Sequence, residues 1–466
     1  MDPRRLKETD LHVHTVGCYH PGQLLDMARD CYRRINWNRF GFLDRYEGIF
    51  GVRLDPVGIF ERAVDTGSLD ELREVSVYEY RPGGSFEEFN ITSYFSNAVV
   101  GYYLDREEHE PILAPIVRRH RQEGLTYVEY RNAFATHGEE FRHWHGRFAR
   151  YLRDASSDGF TARYIIRLDG RAPLASYREV RQLMKEHPDL VETIVGVDFS
   201  GKEIAPRQLQ PLYEQLRADR QRCPGNFLEV VVHIGEDFFD LSLESAIRWC
   251  HESALYGATR LAHCIALGME PRVAIARRER AHQGETVRER RDQIEYDLQH
   301  ADDLAAYGVQ VDADVLEREH RDLEAREGDT WVRRPYDGSR LQDVVRRQDY
   351  VLDDLARLGT VIETCPTSNL CIGGVPGIEH HPFGRLYASE ANLAICTDDP
   401  GIFDTTLSDE VDRVCEWFQV SPEDLAARVG DPFAYRLATA RTKPTGDSGH
   451  RSSCRGDEPL EGTLQR

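Results

Sequence analysis

The chain has 466 residues, 40% of them hydrophobic, and a formal net charge of −21 at pH 7. This acidic balance argues against a nucleic-acid partner, because phosphate binding requires a basic surface. No apolar run approaches the ~18–20 residues that span a bilayer, and the charged residues 1–8 do not form a signal peptide. We therefore expect a cytoplasmic protein that binds neither nucleic acid nor membrane.

The ten cysteines are scattered and include no CxxC pair. Scattered cysteines in a cytosolic chain of this size are mostly reduced core residues. A thiolate zinc site normally shows paired cysteine spacing, which this sequence lacks. Cys18, Cys264 and Cys365 lie close in sequence to the candidate site described below and could line it.

Short apolar runs rich in β-branched residues alternate with helical patterns along the chain, which indicates βαβ units. The runs that predict strands are residues 10–14, 125–131, 163–168, 192–199, 227–233, 259–263, 360–365 and 392–397. Eight such strands favour a closed parallel barrel, the TIM (β/α)8 fold, over an open sheet.

Two insertions, after the first and the sixth predicted strand, exceed ordinary βα connections. Residues 15–124 contain helical patterns, and residues 268–358 are rich in Arg, Glu and Asp at helical spacing. Mixed charges at that spacing favour solvated surface helices with ion pairs. A lid or an oligomer contact is the open alternative for the second insertion. We interpret residues 1–440 as one barrel domain and residues 441–466 as a disordered tail.

The first predicted strand ends in two histidines. Catalytic groups gather at the carboxyl ends of TIM-barrel strands. His12 and His14 are two residues apart, so both imidazoles project from the same face of the strand and can bind one ion. The similarly spaced His143 and His145 lie in a helical, Arg-rich stretch, and we interpret them as a surface feature.

Three other predicted strands also end in polar residues. His233 is a third candidate imidazole ligand, and Glu236 follows it on the turn as a candidate proton donor. His263 can orient and deprotonate a bound water. Asp398 and Asp399 are costly to bury unless a cation or hydrogen-bond donors compensate them. Each residue alone has an ordinary structural explanation, but together they favour metal-assisted hydrolysis.

A set of short motifs in chain order resembles the adenosine deaminase group of the amidohydrolase superfamily, which are TIM barrels that bind one zinc ion. The motifs are Asp10-Leu11-His12-Val13-His14, Tyr127-Val128-Glu129-Tyr130-Arg131, Val195-Gly196-Val197-Asp198-Phe199-Ser200-Gly201, His233-Ile234-Gly235-Glu236, Glu363-Thr364-Cys365-Pro366-Thr367-Ser368-Asn369, His381-Pro382 and Cys396-Thr397-Asp398-Asp399-Pro400. They run through nearly every predicted barrel strand.

The resemblance implies one zinc ion per chain, with His12, His14, His233 and Asp398 as its ligands and an open position for water. Zinc lowers the pKa of that water from 15.7 toward ~7. The ligand types also suit iron or another divalent metal.

The resemblance also assigns the remaining site residues. His263 orients and deprotonates the water, Asp398 helps to aim it, and Glu236 donates a proton to N1 of the purine. Hydroxide then adds at C6 and ammonia leaves. Asp399 holds N7 and the Gly201 backbone N–H holds N3, with His14 as a further substrate contact.

The sequence departs from the family pattern where the family contacts the sugar. Thr15-Val16-Gly17 replaces a Leu-Asp-Gly segment whose Asp contacts the ribose 5′-hydroxyl. The residue pattern from Cys18 to Leu25 is closer to that of AMP deaminases. The pattern from Cys365 to Asn369 instead resembles that of the nucleoside deaminases. In addition, Ala262-His263-Cys264 replaces Gly-His-Gly, and the insertion after it is long.

We therefore predict a zinc-dependent aminohydrolase that acts on the C–N bond of a cyclic amidine. Its predicted partner is a small-molecule 6-aminopurine nucleoside, deaminated as adenosine is to inosine. One alternative is an AMP or N6-substituted adenine nucleotide deaminase. The alternative from another class is a non-catalytic metal-barrel scaffold subunit. A homo-oligomer is left open.

Overall fold

The computed structural model describes residues 1–81, 84–133, 138–223, 226–277 and 284–437. Its strands are β1 (Thr9–His14), β2 (Tyr127–Asn132), β3 (Thr161–Arg167), β4 (Ile194–Phe199), β5 (Glu229–Ile234), β6 (Arg260–His263), β7 (Gly284–Thr286), β8 (Trp331–Arg333), β9 (Val361–Thr364) and β10 (Asn392–Ile395). Eight of them form one sheet in the order β1-β2-β3-β4-β5-β6-β9-β10. All of its neighbouring strands are parallel. The predicted TIM barrel is confirmed, and each predicted strand coincides with one of these eight. The predicted tail from residue 441 lies outside the described residues.

The first strand and the segment after the last strand bring the ends of the sheet together. The backbone N–H of His14 donates to the carbonyl oxygen of Asp398 at 2.8 Å, and the N–H of Asp398 donates to the carbonyl oxygen of His12 at 2.9 Å. Val13 forms a parallel bridge with Asp398. The seam of the barrel therefore lies at three of the four predicted metal ligands.

Helices cover the outside of the barrel, so its strands are buried on both faces, as parallel strands generally are. Every residue of β2 and β4 is buried. The helices between and after the barrel strands are α7 (Gly138–Ala155), α8 (Pro173–Glu186), α9 (Pro206–Arg222), α10 (Leu243–Tyr256), α17 (Pro366–Ile372), α18 (Phe383–Ala388), α19 (Leu407–Phe418) and α20 (Pro422–Val429). Within the described ranges, no helix is long and apolar enough to cross a membrane.

The insertion after β1 is helical, as predicted. It contains α1 (Pro21–Ala28), α2 (Phe42–Phe50), α3 (Pro56–Thr66), α4 (Asp70–Ser76), α5 (Phe86–Leu104) and α6 (Glu110–Gln122). Phe95 of α5 stacks against Trp37 and Phe60, with ring centroids 5.2 Å and 5.9 Å apart. These aromatic contacts hold α5 to the rest of the insertion.

The insertion after β6 contains α11 (Ile265–Gly268), α12 (Pro271–Ala276), α13 (Val287–Gln299), α14 (Ala301–Ala306), α15 (Ala313–Glu324) and α16 (Gly338–Leu358), together with the hairpin of β7 and β8, which was not predicted. The interpretation as solvated helices holds for α15, whose one buried residue is Leu323. It is wrong for α13, which buries Asp297 in a two-bond pair with Arg347 at 2.6 Å and 2.9 Å. Its charges pair inside the protein.

The interpretation of His143 and His145 as a surface pair is wrong for His145. Both residues lie on α7, and His143 is exposed. His145 is fully buried, and its Nδ1 lies 2.7 Å from the hydroxyl of Tyr164 on β3. Because α7 packs on β3, one face of the helix turns inward and carries His145 with it.

Buried ion pairs join strands across the barrel and also join the neighbouring strands β6 and β9. Arg260 of β6 pairs with Glu129 of β2, and its Nε lies 2.6 Å from Oε1 of Glu363 on β9. Arg131 of β2 pairs with the same Glu363. All four side chains are fully buried, so each charge depends on its partners for compensation.

Replacing Arg260 with methionine should lower the free energy of unfolding by about 3–5 kcal/mol, because it leaves Glu129 buried and without its arginine partner. Urea unfolding followed by circular dichroism measures the change. Arg357→Met is the matched control, since Arg357 forms an exposed pair with Asp354. Equal stability of the two variants would contradict the structural role of the buried network.

Candidate metal centre and active site

Four side chains converge at the carboxyl ends of the barrel strands: His12 and His14 of β1, His233 of β5, and Asp398 after β10. One ligand atom from each lies within 4.8 Å of the others. Nε2 of His14 lies 3.1 Å from Nε2 of both His12 and His233, and 3.3 Å from Oδ1 of Asp398. Two tetrahedral ligands ~2.0–2.1 Å from one zinc ion would be about 3.3 Å apart, so this spacing fits a shared ion.

The backbone at Asp398 determines where its carboxylate points. Asp398 has a φ of +65°, in the left-handed region that non-glycine residues rarely adopt. The two seam hydrogen bonds to His12 and His14 hold it in this conformation. The hydroxyl of Ser368 donates to Oδ2 at 2.7 Å, so Oδ1 is the oxygen directed at the imidazoles.

Two of the imidazoles are oriented from behind by buried carboxylates. Nδ1 of His12 lies 3.1 Å from Oε2 of Glu363, and Nδ1 of His233 lies 3.1 Å from Oδ1 of Asp198. Such partners keep a proton on Nδ1 and leave the Nε2 lone pair for a metal. Burial opposes ionisation, but His233 and then Arg131 lower the pKa of Asp198 below its usual value.

The donor set suits a divalent cation. Three imidazole nitrogens and one carboxylate oxygen are ligand types of both zinc and iron. Cys365 also comes close, with its Sγ 3.8 Å from Nδ1 of His12. His263, Cys365 and Asp398 form a second group whose ligand atoms lie within 4.8 Å of one another. The predicted four-residue set and this thiol-containing set therefore share Asp398.

His263 lies beside this cluster as a neutral imidazole. Burial lowers the pKa of His263 to about 3. Its Nδ1 lies 2.9 Å from Oδ1 of Asn369, an acceptor, which places the imidazole proton on Nδ1. Nε2 is buried, has no hydrogen-bond partner in the structure and lies 3.4 Å from Oε1 of Glu236. The free lone pair of Nε2 can therefore accept a proton.

Glu236 is held by a residue that the sequence did not indicate. Both carboxylate oxygens of Glu203, after β4, accept backbone N–H groups: Gly235 at 3.0 Å, Glu236 at 2.7 Å and Asp237 at 3.0 Å. Burial first, and then the negative charges of Asp398 and Glu203, raise the pKa of Glu236 well above its usual value. Glu203 thus fixes the turn that carries Glu236.

Asp399 and Gly201 both line one cavity. A Cβ on Gly17 would lie 1.7 Å from Oδ1 of Asp399, so only glycine at position 17 leaves room for this carboxyl group. Burial, and then Asp398, raise the pKa of Asp399 well above its usual value. Gly201 has a φ of +86°, which glycine adopts without strain.

A cavity of about 270 Å³ brings the predicted site residues together. Six of them line it directly: His14, Gly201, His233, Glu236, Asp398 and Asp399. The other two predicted residues, His12 and His263, do not line the cavity but contact Asp398 and Glu236, which do. One face of α5 closes the other side with Phe86, Phe89, Asn90, Ser93 and Asn97, which the sequence analysis did not identify. Their recurrence every three to four residues was the available signal.

Sequence and structure comparisons relate the chain to known proteins. The family described as Adenosine deaminase matches residues 336–429. Adenosine deaminase 1 of Streptomyces coelicolor is 22% identical over 432 residues, covering 91% of this chain and 80% of that protein. These matches relate the chain to the adenosine deaminase family, in agreement with the resemblance that its sequence motifs predicted.

Two further similar proteins carry different names. The adenine deaminase of Rhizobium leguminosarum bv. trifolii is 40% identical over 73 residues, 16% of this chain and 23% of that protein. The chain thus matches under a quarter of the length of the first curated relatives. The solved Arabidopsis N6-mAMP deaminase has a TM-score of 0.52 and 14% identity over 94% of this chain and 95% of that one. At that identity, the likeness shows the fold alone.

Replacing Glu203 with glutamine should speed hydrogen exchange in the peptide containing residues 235–237 about tenfold or more. The glutamine side chain has one acceptor oxygen where glutamate has two. Its NH2 group cannot accept a hydrogen bond from the backbone N–H groups of residues 235–237, so the turn opens more often. Hydrogen-exchange mass spectrometry measures the effect. Glu214→Gln, on the exposed face of α9, is the control and should leave this peptide unchanged. Unchanged exchange in Glu203→Gln would show that the carboxylate does not hold the turn.

Proposed function

We propose that this protein catalyses the zinc-dependent hydrolytic deamination of a 6-aminopurine nucleoside or nucleotide, as adenosine is converted to inosine. The observation that carries the proposal is the position of His263 and Glu236. A neutral imidazole with a free nitrogen and a carboxyl group of raised pKa lie beside four converging ligand atoms. Neither side chain belongs to the four-residue ligand set. Metal binding by that set therefore does not explain why His263 and Glu236 lie beside it, whereas proton transfer does.

The metal-binding role falls to His12, His14, His233 and Asp398. A zinc ion bound there supplies a water whose pKa falls from 15.7 toward ~7. Oδ2 of Asp398 is already hydrogen-bonded to Ser368, which leaves Oδ1 for the ion.

The proton-transfer roles follow from the protonation states of two buried groups. Nε2 of His263 accepts the proton of the attacking water, while its Nδ1 proton stays on the amide oxygen of Asn369. Glu236 is protonated because burial raises its pKa, so it donates to purine N1. Negative charge then does not accumulate on the ring during attack at C6.

The purine is oriented by hydrogen-bond donors. N7 is an acceptor, and Asp399 can donate to it because burial raises the pKa of its carboxyl group and keeps it protonated. The backbone N–H of Gly201, in the loop after β4, donates to N3. His14 lines the same cavity as a further substrate contact.

The alternatives concern the substrate and the class of protein. AMP and N6-substituted adenine nucleotides remain candidates because Val16 stands where the family carries its ribose-binding Asp. A scaffold role is disfavoured because Glu236 and His263 are placed for proton transfer. Zinc is proposed over iron, although both accept these ligands.

An ammonia-release assay tests the function with adenine, adenosine, adenosine 5′-phosphates and their N6-methyl analogues. Zinc-replete protein should release ammonia from at least one adenine nucleoside or nucleotide. If it releases none from the whole panel, the scaffold role is correct and the proposed function is wrong.

Two substitutions separate metal binding from proton transfer. Glu236→Gln should retain the metal and lose most turnover, because a positioned proton donor contributes ~10²–10⁴-fold. His233→Ala should lose both metal and activity. Zinc content by plasma emission spectrometry and ammonia release measure the two properties. Retained activity in either variant would contradict the role given to that residue.

A further inference from the structure

Arg167, the last residue of β3, is a guanidinium group at the edge of the catalytic cavity. It lines that cavity and also a neighbouring cavity of about 590 Å³. Its Nη2 donates to the carbonyl oxygen of Ser200 at 2.7 Å, whereas its Nε is buried and has no hydrogen-bond partner among the described residues. Within the described part of the chain, Arg167 forms no ion pair with a carboxylate.

The other guanidinium that lines the catalytic cavity has its charge compensated. Arg131 pairs with Glu363 and lies 3.8 Å from Asp198. Of the two arginines that line the cavity, Arg167 is therefore the one whose charge is not neutralised by a carboxylate of the described residues.

The proposed function places one part of the substrate toward Arg167, and this inference rests on it. Around the purine perimeter, N1 faces Glu236 after β5, N3 faces Gly201 after β4, and N7 faces Asp399 after β10. The remaining part of the perimeter is N9, which then faces the ends of β1, β2 and β3. A substituent on N9 therefore extends toward the end of β3, where Arg167 lies.

This part of the cavity offers polar groups for such a substituent. Asn132 at the end of β2 and Ser93 and Asn97 of α5 line the cavity and can bind hydroxyl groups. A guanidinium with unused N–H groups binds an oxyanion through paired hydrogen bonds. We propose that Arg167 binds an anionic group on the N9 substituent, so that the substrate is an adenine nucleotide with a 5′-phosphate.

Paired ligands that differ only in the phosphate test the inference. Isothermal titration calorimetry of the zinc-loaded protein should show IMP binding about 10- to 100-fold more tightly than inosine, as one charge-assisted contact implies. Arg167→Gln should remove most of this ratio by weakening IMP binding far more than inosine binding, and Arg167→Lys should keep part of it. In parallel, kcat/KM should favour AMP over adenosine, and Arg167→Gln should remove that preference.

A local control separates this contact from general charge effects. Arg171→Gln removes a cation that lines the neighbouring cavity, but the Arg171 side chain is 93% exposed and contacts Asp169. This variant should keep the full IMP preference.

The outcomes distinguish the inference from the proposed function. Equal binding of IMP and inosine to the wild type overturns the inference, even if adenosine is deaminated. An equal loss for both ligands in Arg167→Gln also overturns it, because Arg167 then only holds the Ser200 loop. If neither AMP nor adenosine releases ammonia but IMP binding depends on Arg167, the proposed function fails and the anion site stands.

Discussion

The backbone pairing of His12 and His14 with Asp398 is the constraint on which the site depends. These hydrogen bonds bring together the two ends of the sheet and also fix three of the four candidate metal ligands. The fourth, His233, comes from β5, four strands away in the order of the sheet. Because a barrel brings such strands face to face, closing the barrel also brings His233 to the other three ligands. A distortion at Asp398 would therefore affect both.

The charges inside the barrel add a second argument for a divalent cation. Among the described residues that pair with the imidazoles and with one another, four buried carboxylates, those of Glu129, Asp198, Glu363 and Asp398, accompany two buried guanidiniums, Arg131 and Arg260. With neutral imidazoles, two negative charges are left uncompensated, which is costly in a dry interior. A bound divalent ion would neutralise them, so the carboxylates that orient the imidazoles also increase the attraction for the metal.

Sequence alone predicted the features that are local. Each barrel strand contains a short segment rich in apolar residues, and each predicted site residue lies near the carboxyl end of such a strand or shortly after it. The features it missed depend on partners that are distant in the chain. Glu203 acts on a turn more than 30 residues away, and Arg347 pairs with Asp297 across 50 residues. His145 was misinterpreted for the same reason, because its partner Tyr164 lies on the next strand.

In the proposed metal site, three imidazoles and one carboxylate hold a single zinc ion, although Cys365 lies nearby. X-ray absorption at the zinc K edge tests this claim most directly, because nitrogen or oxygen scatters from ~2.0–2.1 Å and thiolate sulfur from ~2.3 Å. The proposed ligand set predicts a first shell of nitrogen and oxygen alone, with imidazole outer-shell scattering that disappears together with the bound zinc in His233→Ala. A sulfur shell at ~2.3 Å that is lost in Cys365→Ser would contradict it.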